Sequence, residues 1–454
     1  MITHIQRHLA DRIRDVAKHY PVILLTGARQ TGKTTLLRDL FPDAPFHTLD
    51  LPSVAHEAEH NGTAFLDSLA AHPVVILDEV QYAPALFRSI KAAVDADRHR
   101  MGRFLMTGSQ KFALMQSVSE SLAGRCAIIE VDTLAPAELM DTNPMQPLKV
   151  EDMMWRGGYP ELWRVPDMPA RDFYASYMAT YLERDVRQLV NVTNLRDFER
   201  FVRMCATLSV QQVNLHKISS DIGIAASTAK QWLSVLETSN IVHILSPYFR
   251  NHGKRLVRTP KLYFRDTGLL CFLLGLATPQ QMLESTFIGA IWETYVLGQI
   301  KRAREAQASP AEIYFWRDAQ GVEVDFAVWL NSRVQFIEAK WNETGGDAKA
   351  LKPMHQVREV MGDAASDRHL LACRTPYAHW HPSDPSVRVI NGHLFRDWFN
   401  VPAPDARSVA EAAINNTVKA RKKRPAKRKK NPKSGRQKGL PHTFNTSSTI
   451  SDDE

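Results

Sequence analysis

Cysteine is scarce in this chain. The four that occur among 454 residues, Cys126, Cys205, Cys271 and Cys373, are scattered and form no C-x-x-C pair. That spacing argues against a disulfide framework and against a structural zinc site, and it fits a reducing compartment. Long apolar runs are missing as well. The longest, about residues 268–277, is too short to cross a bilayer. The opening Met1-Ile2-Thr3-His4-Ile5-Gln6-Arg7 holds no apolar signal core. These absences predict a soluble, cytoplasmic protein with no integral membrane segment. Nor does the body of the chain carry a charge excess. Net charge is +8, but residues 419–454 hold twelve Lys/Arg against three acids, or +9, which leaves −1 for the rest. The basicity belongs to the tail.

What is present is a 44% hydrophobic content over a length sufficient for two to four domains. The most specific stretch is Gly27-Ala28-Arg29-Gln30-Thr31-Gly32-Lys33-Thr34, which fits the phosphate-loop pattern G-x-x-x-x-G-K-[ST]. Val22-Ile23-Leu24-Leu25 before it reads as a buried strand, and Thr35-Leu36-Leu37-Arg38-Asp39-Leu40 after it as a helix. Backbone N–H groups of such a loop point at phosphate oxygens, and the helix N-terminus adds its dipole. Residues 27–35, Thr35 included, are therefore the expected ATP-binding segment. Lys33 would reach the β- and γ-phosphates, and the Thr34 hydroxyl would ligate Mg²⁺.

Residues 1–20 read as one amphipathic helix, with Ile5, Leu9, Ile13 and Val16 at helical spacing and Tyr20-Pro21 as its stop. Downstream of the loop, strands over 46–50, 74–79, 103–109 and 127–131 alternate with helices over 64–71, 84–95 and 111–122. This alternation predicts an α/β fold with a parallel sheet covered by helices. The strand over 74–79 ends in Asp78-Glu79. Asp78 would share the Mg²⁺ with Thr34, and Glu79 would orient the attacking water. Consecutive strand side chains point opposite ways, which suits two different jobs. Thr107 and Ser109 end the next strand, where a polar group senses a γ-phosphate or simply caps a helix. Arg125 follows Gly124 before the last strand. It reads equally as an arginine finger acting on a neighbouring subunit's nucleotide or as an ordinary helix-end arginine.

Together, Gly27–Thr34, Asp78-Glu79, Thr107-Gly108-Ser109-Gln110 and Ser121-Leu122-Ala123-Gly124-Arg125 resemble an AAA-type ATPase. More narrowly, the chain resembles the prokaryotic AAA-type ATP-binding proteins with a C-terminal domain of unknown function. That resemblance implies a winged helix and a PD-(D/E)xK-nuclease-like domain after the ATPase, and it extends to about residue 400.

The organisation expected is an ATPase core over 1–134, a helical lid over 135–199, a winged helix over 200–265, a nuclease-like α/β domain over 266–400 and a disordered basic tail over 401–454. Phe173, Tyr177, Tyr181 and Asp185 fall on one side of a long helix over about 170–190, in which Tyr181-Leu182-Glu183-Arg184-Asp185 resembles a family signature. Helices over 215–222 and 227–238, then strands over 241–245 and 261–264, make the winged helix. Ser227, Thr228, Lys230 and Gln231 on its second helix, with Arg250, His252, Lys254, Arg255 and Arg258 in the wing, suit DNA. Packing or protein contact is the other reading. Asp266 reads as a buried helix cap.

In the third unit Glu293 lies on a helix over 287–302, Asp325 on one hairpin strand, and Glu338 and Lys340 two apart on the next. Three carboxylates and a lysine suit Mg²⁺ or Mn²⁺ and water attack on a phosphodiester, with Asp325 and Glu338 as metal ligands. The proline that often precedes the aspartate is replaced by Val324. The fold also serves as a binding platform without cutting. The tail's Lys/Arg run over 419–438 suits weak nucleic-acid binding, or solubilisation and membrane-surface attachment. The function expected is an ATPase that repositions a DNA-associated module and assembles as a homo-oligomer. The alternative is a nucleotide-switched scaffold.

Overall fold

The structure, a computed structural model, describes residues 5–109, 114, 118, 120–145, 147–181, 195–249, 258–344 and 348–400. Gln110, most of the helix expected over 111–122, Leu182 to Asp185 in the family signature, the wing residues Arg250, His252, Lys254 and Arg255, and the tail lie outside the described residues.

The N-terminal unit begins with α1 (Leu9–Val16), then β1 (Val22–Thr26), α2 (Lys33–Leu40), β2 (Phe46–Thr48), α3 (Pro52–His60), α4 (Gly62–Ser68), β3 (Val75–Asp78), α5 (Leu86–Ala96), β4 (Phe104–Gly108) and β5 (Cys126–Glu130). The five strands form one parallel sheet in the order β2-β3-β4-β1-β5. β1, β3 and β4 are buried along their whole length, as continuous apolar strands require when helices cover both faces. On one face Leu9 and Ile13 of α1 join Leu36 and Leu37 of α2 against Ile23, Leu25, Ile76 and Leu105. On the other, Phe65, Leu86, Phe87 and Ile90 cover Val22, Leu24, Leu77 and Met106.

Three sequence expectations are corrected in this unit. Among the described residues the helix expected over 1–20 runs only over Leu9–Val16; residues 5–7 are not helical, and His8 caps the helix. There the Arg7 guanidinium and the His8 N–H both donate to Glu138 Oε1, at 3.1 and 2.7 Å. The α3 helix was not anticipated. β3 ends at Asp78, and Glu79 takes a left-handed conformation (φ 55°), so the two acids do not owe their separate directions to strand alternation.

Four short helices follow: α6 (Pro136–Thr142), α7 (Val150–Arg156), α8 (Pro160–Arg164) and α9 (Ala170–Tyr181). Then come α10 (Leu195–Thr207), α11 (Leu215–Ile222), α12 (Ala226–Thr238) and the antiparallel pair β6 (Val242–Leu245) and β7 (Lys261–Phe264). Asn214 caps α11 by accepting from the Lys217 N–H at 3.0 Å, and Gly223 closes it at φ 86°. Asp266 caps α13 (Thr267–Leu273) as expected. It is buried and accepts from the N–H groups of Leu269 (3.0 Å) and Gly158 (2.8 Å) and from the Tyr174 hydroxyl (2.7 Å).

After α14 (Pro279–Glu284) and α15 (Ile288–Ala306), a mixed sheet is built from β8 (Glu312–Arg317), β9 (Glu323–Leu330), β10 (Arg333–Ala339), β11 (His369–Cys373), β12 (His379–His381) and β13 (Asp384–Asn391), with α16 (Lys352–Met361) on one face. Its order is β12-β13-β11-β10-β9-β8. One continuous core runs from Leu134 through Phe201, Trp232, Tyr263 and Leu270 to Trp292 and Phe326. It crosses the expected limits at 199/200 and 265/266. Among the described residues, no helix is long and apolar enough to cross a membrane.

Candidate functional site

The carboxyl ends of β1, β3 and β4 lie side by side, and the side chains there form one hydrogen-bonded constellation. Gly27 leaves β1 at φ 146°, and a Cβ on it would stand 2.1 Å from the Val131 carbonyl oxygen, so only glycine fits. Ala28 and Thr31 are buried, Arg29 is half-buried, and Gln30 is exposed in the left-handed region (φ 60°). The Thr31 hydroxyl ties the loop by donating to the Ala28 carbonyl at 3.0 Å. Gly32, at φ 87°, turns the chain into α2, which starts at Lys33. Lys33 is buried and donates from Nζ to the carbonyls of Gly27 (3.0 Å) and Ala28 (2.8 Å). Thr35 is exposed on α2.

Asp78 is the centre of the constellation. Its Oδ1 accepts from the hydroxyls of Thr34 (2.5 Å) and Thr107 (2.6 Å), and its Oδ2 from Thr48 (3.4 Å). Thr34 and Asp78 thus present a hydroxyl and a carboxylate at one point beside the phosphate loop. Hard oxygen donors of this kind fit Mg²⁺, which supplies charge neutralisation when bound with a nucleotide. Glu79 stands next to this point. Its N–H donates to Thr107 Oγ1 (3.1 Å), and its Oε2 accepts from Gln81 Nε2 (2.5 Å) and Ser109 Oγ (3.2 Å). The structure brings together residues 27–35, Asp78, Glu79 and Thr107.

Arg125 is elsewhere. It precedes β5, whose Cys126 pairs with Val22 and Glu130 with Thr26, so it lies at the end of the sheet opposite the loop. Its guanidinium grips the Asp95 carboxylate through Nε (2.7 Å) and Nη2 (3.1 Å), and the contact holds Asp95 below the usual carboxylate range.

Sequence reasoning missed Arg7. It is buried, and it joins the Thr31 carbonyl of the loop (2.8 Å), the Asp132 carbonyl (2.7 Å) and Glu138. No local motif marks a residue that reaches across 24 positions of sequence. Thr48, 30 positions from the Asp78 it contacts, was missed for the same reason, and Gln81 because no motif marks it. So was Arg265, next to β7, which pairs with Glu130 and, at 2.6 Å, with Asp132 after β5.

Glu293, Asp325, Glu338 and Lys340 converge some distance along the chain. Lys340 follows β10 and reaches Glu338 (2.8 Å) and Asp325 (3.3 Å). The Asp325 N–H donates to Glu338 at 3.3 Å, and the Ala339 N–H to Asp325 at 2.9 Å. Lys261 of β7 lies 3.2 Å from Glu293 and 2.5 Å from Glu323, and Tyr263 donates to Glu293 at 2.6 Å. Burial, reinforced by the neighbouring Asp325, pushes Glu293 up to about 7 and Glu338 up to about 8. Among the described residues, no group of three or more His, Cys, Asp or Glu side chains is arranged to hold a metal ion.

Comparison with known proteins divides the chain in three. An AAA domain family matches residues 19–140, a domain of unknown function (DUF8612) matches 148–280, and a domain of unknown function (DUF4143) matches 288–378. The uncharacterized proteins Rv2008c of Mycobacterium tuberculosis and Mb2031c of Mycobacterium bovis are each 33% identical over 355 residues, covering 76% of this chain and 76% of theirs. Among solved structures, the Walker-type ATPase of Pyrococcus abyssi aligns with 60% of this chain and 99% of its own at 16% identity and a TM-score of 0.42. The Aeropyrum pernix ORC1 protein in complex with DNA aligns with 63% of this chain and 95% of its own at 12% identity and a TM-score of 0.27.

Proposed function

We propose, from the premise that this chain belongs to the prokaryotic AAA-type ATPases with a C-terminal domain of unknown function, that it hydrolyses ATP to reposition a DNA-associated module. The observation that carries the hydrolysis is the Thr34–Asp78–Thr107 cluster beside a complete phosphate loop. Lys33 exchanges the carbonyls of Gly27 and Ala28 for the β- and γ-phosphate oxygens. Thr34 and Asp78 would hold Mg²⁺, which would neutralise phosphate charge. Glu79, released from Gln81 and Ser109, aligns water on the γ-phosphorus and takes its proton as the γ–β bridging bond breaks, leaving ADP and phosphate. Arg125 acts on a neighbouring subunit in a homo-oligomer, once a nucleotide phosphate displaces Asp95.

The module consists of a lid over 135–199, a winged helix over 200–265 and a nuclease-like domain over 266–400. The reading as a DNA contact is supported by the exposed Ser227, Lys230 and Gln231 and the half-buried Thr228 on α12, with Arg258 exposed beside β7. The test is ATP turnover and duplex binding by wild type, Lys33→Ala and Lys230→Glu. Turnover lost only in Lys33→Ala, with duplex affinity weakened in Lys230→Glu, supports the reading. Equal duplex affinity in wild type and Lys230→Glu removes α12 from the DNA contact.

A second reading, a scaffold whose nuclease-like domain binds without cutting, is favoured by one observation. Ammonium groups already sit on the acidic cluster. Supercoiled DNA left intact with ATP and Mg²⁺ or Mn²⁺, by wild type as by Asp325→Ala, would establish it.

A further inference from the structure

Four carboxylates share the acidic cluster: Glu293 from α15, Glu323 and Asp325 from β9, and Glu338 from β10. Two of the cations beside them belong to the same sheet unit. Lys340 follows β10, and Arg317 of β8 pairs with Glu323 at 2.6 Å. The third, Lys261, does not. It stands on β7, which pairs with β6 and is not a strand of the six-stranded sheet.

Lys261 is nevertheless driven deep into the cluster. Its side chain is 3% exposed, and its Nζ bridges Glu293 and Glu323. Tyr263, two residues on and so on the same side of β7, donates to the Glu293 oxygen that Lys261 also contacts. An ammonium group is a compact point charge without acceptor capacity. Placed between two carboxylates, it neutralises them as a bound cation would. A divalent ion needs carboxylate oxygens as ligands. Here Lys261 holds those of Glu293 and Glu323, and Lys340 holds those of Glu338 and Asp325. In this arrangement the residues do not fit a divalent ion.

We propose that Lys261 is a built-in counter-cation, carried by β7, which keeps a divalent ion out of the acidic cluster and holds the C-terminal unit shut while the hairpin is docked. The inference rests on the reading of Glu293, Asp325, Glu338 and Lys340 as a metal-using site. Withdrawal of β7 leaves four crowded carboxylates with less positive charge, and Coulomb repulsion among them then favours a replacement cation strongly. None of the four carboxylates is carried by β7; they belong to α15, β9 and β10.

The test compares Mn²⁺ binding, without nucleotide, by the full-length wild type, Lys261→Met and Lys261→Met/Asp325→Asn. Lys261→Met is expected to bind about tenfold more tightly than wild type or better, and Asp325→Asn to cancel the gain. Equal affinity in wild type and Lys261→Met overturns the counter-cation and leaves the metal-site reading standing. Absence of Mn²⁺ binding in folded Lys261→Met overturns both. Because methionine at so buried a position risks the fold, the wild type is also labelled with a lysine-amidinating reagent during Mn²⁺ titration and read by mass spectrometry. Lys261 labelling should rise with Mn²⁺ while that of the exposed Lys230 stays constant. Unchanged Lys261 labelling overturns the inference.

Discussion

Asp78 accepts from three hydroxyls contributed by α2, β2 and β4, so one carboxylate fixes the relative height of three elements around the phosphate loop. Glu79 has no such anchoring role. Its carboxylate rests on the neutral side chains of Gln81 and Ser109, and its backbone is held in the left-handed region. Glu79→Gln is therefore expected to keep nucleotide affinity and to lower turnover by about 10²-fold or more, the usual scale for a lost general base, as measured by equilibrium binding and phosphate release. Loss of affinity instead would assign Glu79 to binding.

The acidic cluster has a pH signature of its own. Glu338 is pushed from an ordinary value of 4.5 up to about 8, so between those values the folded state holds a proton that the unfolded state has released. Stability from this group then falls as pH rises across that window. Denaturant midpoints should drop between about pH 4.5 and 8 in wild type and drop less in Glu338→Gln. Gly27, Lys33 and Thr34 were legible in the sequence because their chemistry is local in the chain. The left-handed Glu79 was not, since a strand pattern running into two acids does not reveal where the strand stops.

Among elements, the start of α13 bears the most concentrated load. Asp266 satisfies its own helix, the turn after α7 and a tyrosine of α9 at once. Burial raises its carboxyl above the usual range, yet the three donors remain anchored to it. Asp266→Ala leaves the N–H groups of Leu269 and Gly158 buried without acceptors, while the Tyr174 hydroxyl keeps the Arg156 carbonyl, a loss of about 3 kcal/mol visible as a lower melting temperature. Asp266→Asn keeps one oxygen and should lose less. Periodicity identified α11 and β7 to the residue, because a capping asparagine, a terminal glycine and β-branched or aromatic residues bound them. It overextended the first helix, where Ile5 continues an apolar stripe that tertiary contacts at Arg7 and His8 interrupt. It stopped at β11 and missed β12 and β13, whose mixture of Pro, His, Ser and Asp hides a strand pattern.

At the scale of the molecule, the shared core from Leu134 to Trp292 joins the helical segments to the six-stranded sheet, and Arg265 joins them to the nucleotide unit through Glu130 and Asp132. No sequence pattern signals a buried ion pair between residues more than a hundred positions apart. Arg265→Met leaves two carboxylates near the core without their cation and should destabilise the protein by about 3–5 kcal/mol, measured by denaturant unfolding. For Arg125, mixing Arg125→Ala with Lys33→Ala protein is expected to restore turnover if the guanidinium serves a neighbouring site. Lack of rescue leaves it only its pair with Asp95.

β7 grips at both of its ends. Lys261 and Tyr263 hold α15 and β9, and Arg265, at the far end, holds the segment leaving β5. Four residue steps separate Lys261 from Arg265, about 13 Å at the usual rise. Sliding by one residue would turn every side chain to the wrong face, so the strand transmits only movement of the whole hairpin. In the opening proposed above it is a short rocker arm, in which a push at the nucleotide end and a release at the acidic end are one displacement.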